Sequence, residues 1–472
     1  TTNYKLPAML LHFTAICGTA MGNIALMMRA AGHTVTGSDE NVYPPMSDLL
    51  RNAGIEIMQG YRAENLDHNP DLVVIGNAMS RGNPEVEAVL NRRMRYTSLP
   101  ELLKEEVIRE RTSIVCTGTH GKTTTSAMTA WVLESAGRSP SFMIGGVPGN
   151  FEAGWALRDS THVILEGDEY DTAFFDKRSK FVHYMPDILL VNNIEFDHAD
   201  IFDSLDDILL AFRRLVNIVP SNGLIVANGD DPNVLDVVSA AFTPVVTVGL
   251  GEGCDLRATD ITYAAEQTTF TLVEKGSEVC SIVLPIIGEY NVRNALGVIA
   301  MARGAGLSDD EIATGLATFR NTRRRLDVIV ASDAFTLYDD FAHHPTAIAG
   351  TLRAIRLRHP DARIRAIFEP RSNTTRRNIF QQQLAAAFVD ADDVILAQIA
   401  RLDQLEPAER LDTEQLITDI ESHGSSARFL PDPESIVEQV KATTEEGDVV
   451  VVMSKSLKRF AMRGVALPSS LI

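Results

Sequence analysis

Ser113-Ile-Val-Cys-Thr-Gly-Thr-His-Gly-Lys-Thr-Thr-Thr125 decides how the rest of this chain is read. A short β-branched run stops at Gly118, a glycine-bounded turn delivers Lys122 and Thr123, and a helix-compatible run from Ser126 to Leu133 follows. Strand, loop and helix in that order make a phosphate cradle. Backbone N–H groups at the helix start can wrap a polyphosphate, the lysine can reach its β- and γ-phosphates, and the threonine hydroxyl can hold Mg²⁺. The consensus loop has one more glycine upstream, where Cys116 stands, so this is the short form Gly118-Thr119-His120-Gly121-Lys122-Thr123-Thr124. The alternative is a glycine turn with a surface lysine; the flanking strand and helix patterns speak against it.

The chain has 472 residues, enough for about three domains. Hydrophobic residues make up 45%, sufficient for a core in each. The formal net charge is −20, with no long basic stretch and no aromatic-basic interleaving, which argues against nucleic acid as a partner. Cys17, Cys116, Cys254 and Cys280 are too few and too scattered for a disulfide framework or a zinc site, and fit a reducing compartment. No apolar run approaches the ~20 residues of a membrane span. The start, Thr1-Thr2-Asn3-Tyr4-Lys5, does not read as a signal peptide. A cytoplasmic enzyme is the expectation.

Upstream of the loop, Leu10 to Ile16 reads as a buried strand running into Cys17-Gly-Thr-Ala-Met-Gly22 and an alanine- and methionine-rich helix. A second strand, His33 to Gly37, ends at Ser38-Asp39, and Asp71 to Gly76 supplies a third. This is a βαβ opening with an acidic residue about 20 residues on, the pattern of dinucleotide-binding folds. Ala15 and Cys17 stand where glycines are expected, so the pattern indicates a nucleotide-diphosphate pocket without fixing its occupant.

Downstream, the strand Thr161 to Leu165 ends in Glu166-Gly-Asp-Glu-Tyr-Asp171. Carboxylates at the C-terminal end of a core strand lie beside the phosphate loop in such a sheet, where Mg²⁺ needs hard oxygen ligands. A solvated acidic turn is the alternative. Asp187 to Asn193 is another strand, ending in Ile194-Glu-Phe-Asp-His-Ala-Asp200, with His198 at a position suited to metal or phosphate. Leu256 to Leu284 is strand-rich. Gly288 opens a helix with Asn291 and Asn294 on one face; their amides suit an adenine edge, and equally a helix cap. Beyond the basic knot Asn321-Thr-Arg-Arg-Arg-Leu326, further apolar strands end in polar clusters: Asp339-Asp-Phe-Ala-His-His-Pro-Thr346, Glu369-Pro-Arg-Ser-Asn-Thr374 and Ser454.

These stretches together resemble the Mur ligase family, ATP-dependent amide-forming enzymes of bacterial cell-wall precursor synthesis. The likeness runs in order from Ile16 to about Ser454. It rests on Gly118 to Thr124, on Asp340-Phe-Ala-His-His-Pro-Thr346 and on the pair Asn291/Asn294. Asn41-Val-Tyr-Pro-Pro-Met46, Gly76-Asn-Ala-Met79, Phe175 to Tyr184, Glu195 to Asp203 and Glu369 to Thr374 resemble the branch that joins L-alanyl-γ-D-glutamyl-meso-diaminopimelate, a recycled murein tripeptide, to UDP-N-acetylmuramate. The branch using L-alanine as acceptor is the alternative.

The resemblance implies an α/β protein of three domains. Residues 1–108 would form a Rossmann-like UDP-N-acetylmuramate-binding domain, 109–321 a central P-loop ATPase, and 322–472 a Rossmann-like domain that binds peptide and closes over the site. Gly18, Thr19, Met21 and Gly22 would lie at the UDP phosphates and Asp39 near the uridine. Lys122, Arg325 and Mg²⁺ on Thr123 would supply positive charge where carboxylate and ATP meet. Glu166 or Glu169 would hold metal, with His198 near a second ion. Asn291, Asn294 and Asp340 would meet the ATP base and ribose. Arg371 and Asn373 would receive the peptide, and His343 or His344 would orient or deprotonate its amine.

Departures from the family pattern are Ala15 and Asn23 for glycines, Tyr290 for a histidine, and Ser454-Lys-Ser-Leu-Lys458 for a glycine-rich turn. No lysine occurs between Lys180 and Lys275, which removes the carbamylated lysine of some branches. A regulatory P-loop switch leaves the UDP-type pocket unused, and a UDP-sugar dehydrogenase leaves Gly118 to Thr125 unexplained.

Overall fold

A computed structural model describes residues 7–264, 266–332, 335–399 and 402–454. Of the turn Ser454–Lys458, only Ser454 lies within the described residues. The chain forms two compact units. One comprises the residues up to Ile194 with Asp206–Leu256 and Gly297–Gly315; the other comprises Glu195–Leu205, Arg257–Leu296 and the residues from Leu316.

The first unit opens with five parallel strands: β1 (Leu10–Thr14), β2 (Thr34–Asp39), β3 (Glu56–Gln59), β4 (Leu72–Ile75) and β5 (Tyr96–Ser98). Their spatial order is β3-β2-β1-β4-β5, so the chain reverses direction across the sheet at β1. Ligand crevices form outside the strand ends at such a reversal. Here the helix Thr19–Ala31 begins directly after β1, with Gly18 as its N-cap.

A second, mainly parallel sheet of the same unit is built around β6 (Thr112–Thr117). It contains β7 (Ser141–Met143), β8 (Trp155–Ala156) and β9 (His162–Glu166) on one side of β6. The short pair β10 (Asp171–Ala173) and β11 (Asp176–Ser179) forms a separate hairpin. On the other side of β6 lie β12 (Ile188–Val191), β13 (Leu224–Asn228) and β14 (Val245–Gly249). The residues of β12 are buried on both faces, as expected of a parallel strand covered by helices above and below. β6, β9 and β12 all point their C-terminal ends the same way. That alignment gathers the loops after them into one place.

The second unit contains most of β15 (Leu256–Tyr263), the hairpin β16 (Thr268–Glu274) and β17 (Ser277–Leu284), and a six-stranded sheet. That sheet is β18 (Asp327–Ala331), β19 (Phe335–Asp340), β20 (Ile364–Phe368), β21 (Asp393–Ala397), β22 (Ser426–Leu430) and β23 (Asp448–Met453), in the order β18-β19-β23-β20-β21-β22. Only the edge strand β18 is antiparallel to its neighbour. Alternation along β23 divides its valines between two cores. Val449 and Val451 join Tyr338, Leu352 and Phe388 on one face, and Val450 and Val452 join Leu337, Ile395 and Ile436 on the other.

Candidate active site

The loop between β6 and the helix Lys122–Ser135 owes its shape to two glycines. Gly118 has φ +132°, and a Cβ there would lie 3.0 Å from the backbone nitrogen of Asn193; Gly121 has φ +81°. Both conformations favour glycine. Asn193, just past β12, then fastens the loop: its carbonyl accepts from Thr119 N at 3.0 Å and its Oδ1 accepts from His120 N at 2.7 Å. These two amides are therefore engaged within the protein. The opening amides of the helix, which no helix can satisfy internally, are the donors its geometry offers a phosphate.

Lys122 leaves that helix start as a buried ammonium. Its Nζ donates to Gly118 O at 2.7 Å, Thr119 O at 3.2 Å and both oxygens of Glu169, at 2.9 and 2.8 Å. Burial pushes its pKa down, but Glu169 and then Asp168 and Glu166 outweigh this and raise it above the ordinary value. Glu166, the last residue of β9, accepts from Thr123 Oγ1 at 2.7 Å and from Gly145 N at 2.7 Å. Asp168 receives Lys180 at 2.8 Å; burial opposes its charge, yet Lys180 and Lys122 hold its carboxyl below the usual range. Thr124 is buried in the same first turn. Three carboxylates thus surround two lysines, with the Thr123 hydroxyl and Glu166 side by side as hard oxygen donors fit for Mg²⁺.

At the first sheet, Gly18 and Thr19 are exposed at the helix mouth, while Met21 and Gly22 are buried in the helix. Gly22 N is bonded to Gly18 O at 2.7 Å. Asp39, at the end of β2, accepts from Cys17 N at 2.9 Å and from Asn41 N at 2.8 Å. Its carboxylate ties the turn after β1 to the end of β2.

In the second unit, three strand-end stretches meet. Asp340, at the end of β19, is buried and accepts from Leu326 N and Ala342 N, each at 2.7 Å. Burial raises its pKa against the pull of Arg325. Arg325 lies over the Phe341 ring at 5.2 Å. The Tyr290 phenol is pushed up by burial and next by Asp340, which puts the start of the helix Glu289–Gly304 beside these groups. Asn291 and Asn294 are buried in that helix, one donating to Ile287 O at 2.8 Å and the other to its partner's Oδ1 at 3.2 Å. Neither is its N-cap.

His344 is one. It precedes the helix Pro345–Arg358, its Nδ1 accepts from Thr346 N at 3.3 Å, and its Nε2 lies 3.2 Å from Phe196 O. Accepting at Nδ1 puts the neutral ring's proton on Nε2, which donates to that carbonyl. His343 has Nδ1 2.9 Å from Phe341 O and Nε2 4.0 Å from Asp197. Burial opposes the charge on Asp197, but His198, His343 and Thr374 hold it well below the carboxylate range. His198 follows with φ +57°. Arg371 donates to Glu369 at 3.3 Å, and Asn373 accepts from Arg376 at 2.7 Å.

Three family domains match the chain in order: Mur ligase family, catalytic domain over residues 10–111, Mur ligase middle domain over 116–302, and Mur ligase, glutamate ligase domain over 324–456. A relative from Escherichia coli (strain K12), the UDP-N-acetylmuramate–L-alanyl-γ-D-glutamyl-meso-2,6-diaminoheptanedioate ligase, is 44% identical over 94% of this chain and 95% of its own. The chain belongs to the Mur ligase family. The UDP-N-acetylmuramate–L-alanine ligase of Endomicrobium trichonymphae is 30% identical, covering 94% of this chain and 95% of its own. Among solved structures, the murein peptide ligase of Psychrobacter arcticus 273-4 superposes with a TM-score of 0.72 at 35% identity, covering 96% of this chain and 98% of that one.

This Mur ligase therefore has the three-domain α/β architecture of the family. Within the first unit the fold pairs Lys122 with Glu169 and Thr123 with Glu166. Within the second, the stretch carrying His198 meets His343 and His344 through Asp197 and Phe196, and meets the loop carrying Arg371 and Asn373 through Thr374. Sequence reasoning noted Asp197 only as the neighbour of His198 and gave no role to Asn193 or Thr374. The doubled asparagine after β12 was a usable signal for Asn193. Nothing short of the fold reveals the pairing of Asp197 with Thr374, 177 residues apart.

Proposed function

We propose that this Mur ligase joins L-alanyl-γ-D-glutamyl-meso-diaminopimelate to UDP-N-acetylmuramate with hydrolysis of ATP to ADP and phosphate, the chemistry of murein peptide recycling. The lactyl carboxylate attacks the γ-phosphorus, the bond to the ADP oxygen breaks, and an acyl phosphate forms. The alanine amine then adds to the acyl carbon, loses its proton, and phosphate leaves from the tetrahedral adduct.

The site residues fit that sequence. Lys122 and the helix-start amides neutralise the triphosphate as the carboxylate approaches. Thr123 and Glu166 are the assigned oxygen ligands for Mg²⁺, which supplies further charge neutralisation when bound; Glu169 becomes available to it once Lys122 turns to phosphate. Asn291, Asn294, Arg325 and Asp340 are assigned to the nucleotide. Gly18, Thr19 and Asp39 are assigned to the UDP moiety; buried Met21 and Gly22 support them through the helix backbone. Arg371 and Asn373 take the peptide. His343 is preferred over His344 for the amine proton, because His344 is held as a helix cap. We assign residues 1–108, 109–321 and 322–472 to UDP-sugar binding, ATP binding and peptide binding. The proposed site of action is the cytoplasm; no described helix is long and apolar enough to cross a membrane.

The observation that carries the choice of acceptor is the gap between 44% identity to a tripeptide ligase and 30% to an L-alanine ligase at equal coverage. Competition between tripeptide and L-alanine, with ADP release and product mass recorded, tests it. Faster use of L-alanine would overturn the acceptor while sparing the ligase.

A further inference from the structure

The side chain of Thr374 is fully buried and bonds to residues on both sides of His198. Its Oγ1 donates to Asp197 Oδ1 at 2.7 Å and accepts from Ala199 N at 3.3 Å. Asp197 Oδ1 also accepts from His198 N at 2.7 Å, and His198 O accepts from Ile201 N and Phe202 N at 2.9 and 3.1 Å. One hydroxyl thus uses its donor and its acceptor to close a ring around a residue in the left-handed region, where a side chain needs external support. Thr374 is itself rigidly held. Ser372 and Thr375 cap each other, Thr375 N donating to Ser372 Oγ at 3.0 Å and Ser372 N to Thr375 Oγ1 at 3.2 Å, and buried Arg376 holds Asn373.

The geometry points to Thr374 as a positioning residue that sets the orientation of His198 and links it to the loop carrying Arg371 and Asn373. This rests on the reading of the sequence in which His198 serves the metal or phosphate of the reaction and Arg371 the peptide. A residue filling space would need only the shape of threonine; the two hydrogen bonds need its hydroxyl. Seating the peptide on Arg371 then bears, through Thr374, on the orientation of His198.

The test compares Thr374→Val, which keeps the shape, with Thr374→Ser, which keeps the hydroxyl. The valine variant is expected to lose about tenfold to a hundredfold in kcat, the cost of a slightly misplaced group, with little change in KM for ATP or UDP-N-acetylmuramate. The serine variant restores most of kcat. Histidine-selective ¹⁵N NMR of the ligand-free protein, with the His198 line assigned from His198→Ala, should show that line moved in Thr374→Val and restored in Thr374→Ser. If Thr374→Val fails to fold, Thr374→Ala gives the same readings. Wild-type kcat and an unmoved His198 line in the variant lacking the hydroxyl would overturn the positioning role. Unimpaired turnover in His198→Ala would instead overturn the reading of His198, while the NMR line still judges the hold of Thr374 on it.

Discussion

Glu166 Oε1 accepts a hydrogen bond from Thr123 Oγ1 at 2.7 Å while its second oxygen takes the Gly145 amide, so the end of β9 is joined to the phosphate-loop helix through one carboxylate. Both groups are hard oxygen donors, and both lie one step from Lys122. Substituting Glu166→Gln keeps the shape and removes the charge. The Mg²⁺ concentration giving half-maximal velocity should rise ~10–100-fold. A magnesium titration of ADP release checks this, and an unchanged midpoint would move the ligand role to Glu169.

Lys122 is paired with Glu169 in a site largely closed to solvent. Lys122→Ala should reduce ADP formation by at least about a thousandfold, since the charge meeting the γ-phosphate is gone. UDP-N-acetylmuramate binding, followed by calorimetry, should persist. The variant should also lose stability, by roughly 3–5 kcal/mol, because buried Glu169 loses the ammonium that both its oxygens receive. Lys122→Ala combined with Glu169→Gln should recover part of the stability and none of the turnover.

Gly118 cannot take a side chain without moving Asn193, whose backbone nitrogen would lie 3.0 Å from the added Cβ. Gly118→Ala should cost ~1–3 kcal/mol through the strained backbone. It should raise KM for ATP more than KM for UDP-N-acetylmuramate. Equal effects on both would show that the loop is not specific to the nucleotide.

Asp197 carries the pH prediction. Its carboxyl is held below its ordinary value in the folded state, so the folded protein binds fewer protons there than the unfolded chain. The resulting stabilisation is present in full above the unfolded pKa of about 4 and is lost as pH falls from there toward the folded pKa. Urea unfolding of wild type and Asp197→Asn should therefore differ most at neutral pH and converge below about pH 4. A gap that stays constant through that range would show that Asp197 is not held in this way.

The parallel strands and the phosphate loop were legible because buried β-branched runs and glycine-bounded turns obey local rules. The helix after Gly121 begins at Lys122, ahead of the run from Ser126 that the sequence pattern marked. Local rules also flagged Glu166 and Glu169 together without assigning them partners; only the fold distinguishes the one on Thr123 from the one on Lys122. The Asn291/Asn294 pair was visible as a helix face, but its burial was not. The role of His344 as a cap was hidden by its neighbour His343, since adjacent histidines look alike until their hydrogen bonds are known. Thr374 had no local signature, because its meaning depends on a strand-end loop far away in sequence.

The ion pair between Lys122 and Glu169 gives the phosphate loop a resident rival for any incoming anion. A stray monovalent anion reaching Lys122 must displace a carboxylate already bound to it through both oxygens, and brings no cation to replace the ammonium. A nucleotide arriving with its own divalent cation would offer an exchange instead, its phosphate for Lys122 and the cation for Glu169. On the proposed reading the loop would favour a metal–triphosphate complex over a bare anion, because only the former brings a cation for Glu169.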